Sequence, residues 1–185
     1  MDALRKEEHY TYNDYSSWDD GIRYELIDGA VYAMSPAPSS AHQGVSMALS
    51  IQLGSYLKGK PCKVFAAPFD VRLNADTFDD TVVQPDIVVI CDQEKLSGTG
   101  CTGAPDLVIE ITSPSTARND RLIKFNLYQQ YGVREYWIVD PDTKSVTVHI
   151  LESGKYITSA YADTDSVAVH VLDGCTIDLT EVFER

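Results

Sequence analysis

Two largely apolar runs, each with one carboxylate in its interior, constrain this chain more than any other feature: VVQPDIVVIC, starting at residue 82, and PDLVIEITSP, starting at residue 105. A continuous β-branched run suits a strand covered on both faces rather than one with a wet side. Asp86 heads the first such run and Glu110 lies inside the second. An ionised group in that setting costs free energy unless something pairs with it. Two doubly covered strands call for a sheet with layers on either side. A chain of 185 residues, 44% of them hydrophobic, has the material for that core. No internal repeat, low-complexity linker or break in composition divides it, so one domain over residues 1–185 is the expectation.

The rest of the chain supplies the layers. Thr11 to Asp19 reads as a short helix capped at Thr11 or Asn13. RYELIDGAVYAM reads as two short strands joined at Asp28-Gly29, a strong hairpin signal. After the SPAPSS loop, Val45, Leu49, Leu53, Tyr56 and Leu57 recur at helical spacing and predict a helix over residues 41–58. CKVFAAPFDVRL is a strand bent at Pro68, and residues 92–103 form a Gly-rich loop. A second helix from Asn119 or Asp120 to Tyr131, with Gly132 at its C-terminal end, precedes the strand REYWIVDP. Alternating strands over residues 145–151 and 155–161, a further one over 167–171, and a short terminal helix close the chain. The expected architecture is α/β, a mixed sheet flanked by two helices, with VVQPDIVVIC central to it.

If the strands bearing Asp86 and Glu110 are neighbours, their carboxylates converge and offer oxygen ligands with open positions for water and phosphate, which suits Mg²⁺ or Mn²⁺. Lys124, on the helix from residue 120, would bring a cation to that point for a developing phosphate charge or an attacking water. The plainer accounts stand beside these: Asp86 as a cap at a strand entrance, Glu110 as half of a buried ion pair, Lys124 as a solvated lysine paired with Asp120 or Tyr128. Glu25, in YELIDG, is either a third acid or an outward polar residue. His42 and Gln43 open the first helix and could face phosphate, although an exposed histidine there is the simpler account. No His and Cys cluster has zinc spacing. No histidine is placed to make a nucleophile of Ser113 or Ser115. The eleven tyrosines read as packing residues with polar tips.

Charge cuts the other way. Fifteen Lys and Arg against 28 Asp and Glu leave −13 at pH 7, a field that repels polyanions. Two basic islands, Lys58, Lys60, Lys63 and Arg72, then Arg118, Arg121 and Lys124, leave room for a local positive groove. Cys62, Cys91, Cys101 and Cys175 lack CxxC spacing and read as reduced, mostly buried thiols. The N-terminal MDALRKEEHYTYNDY lacks a signal peptide's apolar stretch, and no run approaches the roughly 20 apolar residues of a membrane span. The expectation is a cytoplasmic protein with no membrane contact.

Taken in order, YELIDG, SPAPSSAHQ before a helix, VVQPDIVV, APDLVIEITSPST and a Lys-bearing helix running into LYQQYGVREYWIVDP resemble the Uma2-like family of restriction-type endonucleases, in the PD-(D/E)xK nuclease superfamily. The likeness runs from about Thr11 to the C-terminus. It implies a restriction-endonuclease-like fold, a divalent metal (Mg²⁺ or Mn²⁺) and hydrolysis of phosphodiester bonds in DNA. Pro85 and Asp86 match the PD of the motif and Glu110 its second acid, with the carbonyl of Ile111 as a further metal ligand. Thr112 stands where the pattern places its lysine, so the resemblance passes that role to Lys124. Glu25 resembles an auxiliary carboxylate of the metal site, and Asp70, in PFDVRL, a structural or supporting acid. Nucleases acting on duplexes often pair two sites, which makes a homodimer the expectation by analogy. Two rivals use the same residues: a non-catalytic binding protein that kept the fold, and a hydrolase of a smaller phosphodiester.

Overall fold

The computed structural model describes residues 8–34, 37–113 and 120–183, without the side chains of residues 120 and 121. Its strands are β1 (Tyr24–Ile27), β2 (Ala30–Ala33), β3 (Lys63–Ala66), β4 (Asp70–Arg72), β5 (Val82–Val83), β6 (Ile87–Ile90), β7 (Gly100–Thr102), β8 (Leu107–Ile111), β9 (Glu135–Asp140), β10 (Ser145–Glu152), β11 (Lys155–Ala162), β12 (Ser166–Ala168) and β13 (Thr176–Asp178). The α-helices are α1 (Tyr12–Tyr15), α2 (Ser40–Leu57), α3 (Phe125–Tyr131) and α4 (Leu179–Phe183). A π-helical turn, Asp120–Lys124, leads into α3.

A six-stranded sheet runs in the order β11-β10-β9-β8-β6-β3, parallel at β8–β9 and antiparallel elsewhere. The alternation of side chains along a strand explains why β6 is apolar at every position. Ile87 and Val89 pack with Val45, Leu49, Leu53 and Leu57 of α2, while Val88 and Ile90 pack on the other face with Leu127 and Tyr128 of α3. Ser39 caps α2, accepting the His42 N–H at 3.2 Å, and Gly132 ends α3 at φ 80°. Thr11 caps α1 in a reciprocal arrangement with Asp14. Asp28 and Gly29, both at positive φ, turn β1 into β2 as Asp-Gly predicts. Among the described residues no helix is long and apolar enough to cross a membrane.

Four details differ from the sequence reading. The mixed sheet flanked by helices is present, but a second, five-stranded sheet, β2-β1-β5-β4-β7, stands beside it and β12 pairs with β13 in a two-stranded one. The reason lies in Gln84-Pro85-Asp86, between β5 and β6: proline has no N–H for a ladder, so the run leaves one sheet there and enters the other. The run VVQPDIVVIC is therefore not central: its β6 part lies one strand in from the edge. The Gly-rich loop contains a 3₁₀ turn (Gln93–Lys95) and β7, which pairs with β4 in parallel. At Gly100 a Cβ would sit 1.9 Å from the Asp70 carbonyl oxygen, so this pairing requires glycine. Cys62 and Cys91, read as reduced thiols, are joined in a disulfide, while Cys101 and Cys175 are free and buried. Spacing gave no hint of the pair; it follows from register, since Lys63 and Ile90 face each other and their neighbours come together. Asn119 as a helix cap, and Arg118, lie outside the described residues.

Candidate active site

Two strands and one helical turn contribute one group each. β8 delivers Glu110 to the interior, β1 delivers Glu25 from the other sheet, and the turn before α3 delivers Lys124. The Lys124 ammonium lies 2.9 Å from Glu25 Oε1 and 2.8 Å from Glu110 Oε1. All three are buried, Glu25 at 0% and the other two at 4% exposure. Of the two accounts for Glu25, the inward one is the structure's. Tyr128, one helical turn beyond Lys124, donates to Glu110 Oε1 at 2.8 Å. Burial first, then the charges of Glu110 and Glu25, holds the Tyr128 hydroxyl well above the ordinary tyrosine value, so it keeps its proton and remains a donor.

Asp86 sits next to this group at the head of β6. Its Oδ2 accepts the Ile111 N–H at 2.8 Å, which joins it to the peptide that follows Glu110. His42 of α2 reaches the same oxygen through Nε2 at 3.2 Å. The Asp86 side chain keeps 23% of its exposure, so water has access to it. The structure thus brings Asp86, Glu110, Ile111, Lys124 and Glu25 into one neighbourhood. It places Thr112 in hydrogen bonds with the Val139 carbonyl, occupied in holding β8 to β9.

Gln84 was not singled out in the sequence, and it ties the site together. Its backbone N–H donates to Glu25 Oε1 at 2.9 Å, its side-chain NH₂ donates to Asp70 Oδ1 at 2.8 Å and to the Tyr15 hydroxyl at 2.9 Å, and its Oε1 accepts from Arg23. Asp70 therefore acts on the site through Gln84. The adjoining PD motif was the one signal for Gln84, and a glutamine two residues before an acid carries little on its own.

Glu25 Oε2 is buried without a hydrogen-bond partner among the described residues, and a buried carboxylate oxygen in that position asks for a further cation or proton donor. No group of three or more His, Cys, Asp or Glu side chains among the described residues is placed to hold a metal ion. A hard ion that keeps several waters needs only one or two carboxylates, so the donor set fits Mg²⁺ or Mn²⁺ and does not fit zinc.

The family described as "Putative restriction endonuclease", Uma2, matches residues 12–180. An uncharacterized protein of Synechocystis sp. is 29% identical over 156 residues, 82% of this chain and 80% of that protein. The crystal structure of a "putative nuclease belonging to DUF820" from Anabaena variabilis superposes with a TM-score of 0.76 at 19% identity, covering 95% of this chain and 98% of that one, a likeness of fold. With a match spanning nearly its whole length, the chain belongs to the Uma2 family, and with it to a nuclease-like class.

Proposed function

We infer that this chain is a metal-dependent endonuclease of DNA, acting through Asp86, Glu110, Lys124 and Glu25. The observation that carries this reading is the buried Glu25–Lys124–Glu110 cluster beside a solvent-reached Asp86. A structural ion pair needs one carboxylate per ammonium; this lysine has two, and a third acid, Asp86, accepts from the peptide N–H that follows one of them.

Asp86 and Glu110, with the carbonyl of Ile111, would hold Mg²⁺ or Mn²⁺. When bound, such an ion lowers the pKa of a ligand water and offsets phosphate charge. The chain's own groups do the rest. Tyr128 and Lys124 fix the Glu110 carboxylate, and His42 with the Ile111 N–H fixes Asp86. Lys124 supplies positive charge where the phosphoryl oxygens gain negative charge, in a buried setting where that interaction is strong. Water attacks phosphorus, the bond from phosphorus to the leaving oxygen breaks, and that oxygen takes up a proton. Hydrolysis of the diester gives a monoester and a hydroxyl end. We place the enzyme as a cytoplasmic homodimer, by analogy with nucleases that cut both strands.

A second reading has one observation in its favour. The −13 charge repels long DNA more than a small phosphodiester, so a small substrate fits the overall field better. Plasmid nicking with Mg²⁺ or Mn²⁺ at low salt, run beside bis-p-nitrophenyl phosphate hydrolysis, separates the two. Nicking that is lost in folded Asp86→Ala, Glu110→Ala and Lys124→Ala proteins supports the DNA enzyme. Hydrolysis of the small ester alone moves the assignment, and neither activity rejects both.

A further inference from the structure

A protein of charge −13 that handles an anion needs positive charge at its site, and Lys124 supplies only part of it. Lys124 faces two carboxylates. Arg72 is paired with Asp79 and Arg134 with Asp106. Arg23 differs. It is exposed, one residue before β1, and its side chain is bonded to a neutral oxygen: Nε and Nη2 donate to Gln84 Oε1 at 2.8 and 2.5 Å. Nη1 hydrogen-bonds to no described residue, and no carboxylate among those residues lies within ion-pair distance.

Gln84 is also the residue whose backbone N–H holds Glu25, so a single residue links Arg23 to the buried cluster. Arg23 and Glu25, two apart, lie on the same side of an extended chain, about 7 Å between Cα atoms. The orientation of the Gln84 amide is imposed from its far end. Asp70 Oδ1, as a carboxylate oxygen, accepts only from the NH₂ side, and Tyr15 takes the other N–H, so Oε1 has to face Arg23. A chain of partly buried groups, Asp70, Tyr15 and Gln84, thus aims one guanidinium through a neutral amide oxygen, leaving N–H donors unspent. Those donors form the planar fork that suits phosphate oxygens.

We propose that Arg23 is the substrate-phosphate contact of this site, positioned by Gln84 and Asp70, for a phosphodiester lying over Asp86 and Glu110. The proposal rests on the nuclease reading for the identity of the substrate and not for the anion itself.

The test measures binding of a fluorescein-labelled duplex in EDTA by anisotropy, from low to moderate salt, for the wild type, Arg23→Gln, Arg23→Lys and, as a control on the far edge strand, Lys155→Gln. Circular dichroism checks that each variant is folded. Arg23→Gln is expected to weaken binding about tenfold and to flatten the log–log salt slope by roughly 0.9, the share of one phosphate contact, while Arg23→Lys keeps the slope and Lys155→Gln changes neither. An Arg23→Gln slope equal to the wild type overturns the proposal and leaves the nuclease reading standing. If the wild type binds no duplex at any salt, the nuclease reading fails instead, and ³¹P line broadening of inorganic phosphate decides the rest. Broadening by the wild type and not by Arg23→Gln supports an anion site for a smaller phosphate. Equal broadening, or none, overturns it.

Discussion

At the residue scale the site turns on one ammonium shared by two buried carboxylates. Lys124→Met keeps the side-chain volume and leaves Glu25 and Glu110 facing each other at 0% and 4% exposure. Breaking a buried pair from one side costs about 3–5 kcal/mol, unless a carboxylate takes a proton. The variant should therefore unfold earlier in urea at pH 7 and recover part of that loss in acid, while nicking falls about 100-fold or more. A variant as stable as the wild type at pH 7 would mean the cluster is not ionised as drawn. Glu110 and Asp86 were legible in the sequence because a carboxylate inside a β-branched run is conspicuous. Glu25 was less so: in RYELIDG an inward acid and an outward one look alike, since the hairpin's two faces cannot be told apart before the second sheet is known. Gln84 and Arg23 were not legible, because their roles depend on an amide orientation set by Asp70 and Tyr15, distant in sequence.

At the element scale, β-branched runs, the Asp-Gly hairpin and the spacing of α2 carried the fold; α2 falls where periodicity puts it, and the second helix where its cap residues do, with a π-helical turn before α3. Pairing between distant strands did not show. β7 hid in a Gly-rich stretch because its reason for glycine is the Asp70 backbone and not a turn. Gly100→Ala should separate β4 from β7 at a cost near the upper end of overpacking, about 3 kcal/mol, read from the urea midpoint. As β4 carries Asp70, binding of labelled DNA should weaken along with stability; a stable variant with an unchanged midpoint would contradict the pairing. Another buried acid, Glu135, opens β9 and accepts from the Trp137 indole N–H at 2.7 Å and the Val171 N–H at 2.9 Å, tying the C-terminal segment to the sheet. Burial raises its carboxyl above the ordinary glutamate value, against the lowering effect of those hydrogen bonds. The folded state thus holds this proton more tightly than the unfolded chain, so its contribution is full below pH 4.5 and is lost as pH rises through the raised folded value. Glu135→Gln removes the titration, and the wild type's stability relative to that variant should decline with rising pH over this window. A constant difference would show that Glu135 ionises in the fold as readily as in the unfolded chain.

For the molecule as a whole, the open question is how the edge of the six-stranded sheet is secured. β3 is the outer strand, and its pairing with β6 is closed at one end by Cys62–Cys91. The two cysteines are 29 residues apart, and cross-linking a loop of that length removes unfolded-state entropy worth about 3–4 kcal/mol. Intracellular thiol pools keep most cysteines reduced, so this bond and the expected cytoplasmic location pull in opposite directions. Thiol titration resolves the pair, because Cys101 and Cys175 are buried in the fold and react only once it opens. Of the 4 cysteines, two should react in urea without reductant and all 4 after reduction. Reduction, or a Cys62→Ser and Cys91→Ser double variant, should then lower the unfolding free energy by about 3–4 kcal/mol. The site is expected to survive that change, since Asp86 lies at the opposite end of β6 from Cys91 and its hydrogen bonds run to Ile111 and His42. Metal-dependent nicking at 25 °C would therefore persist in the reduced protein while its urea midpoint drops. If all 4 thiols react before reduction, the bond is absent from the protein as made, and the antiparallel pairing with β6 holds β3 without it. If nicking vanishes on reduction at a temperature where the fold persists, the sheet edge and the site are coupled through β6, and Asp86 depends on the far end of its own strand.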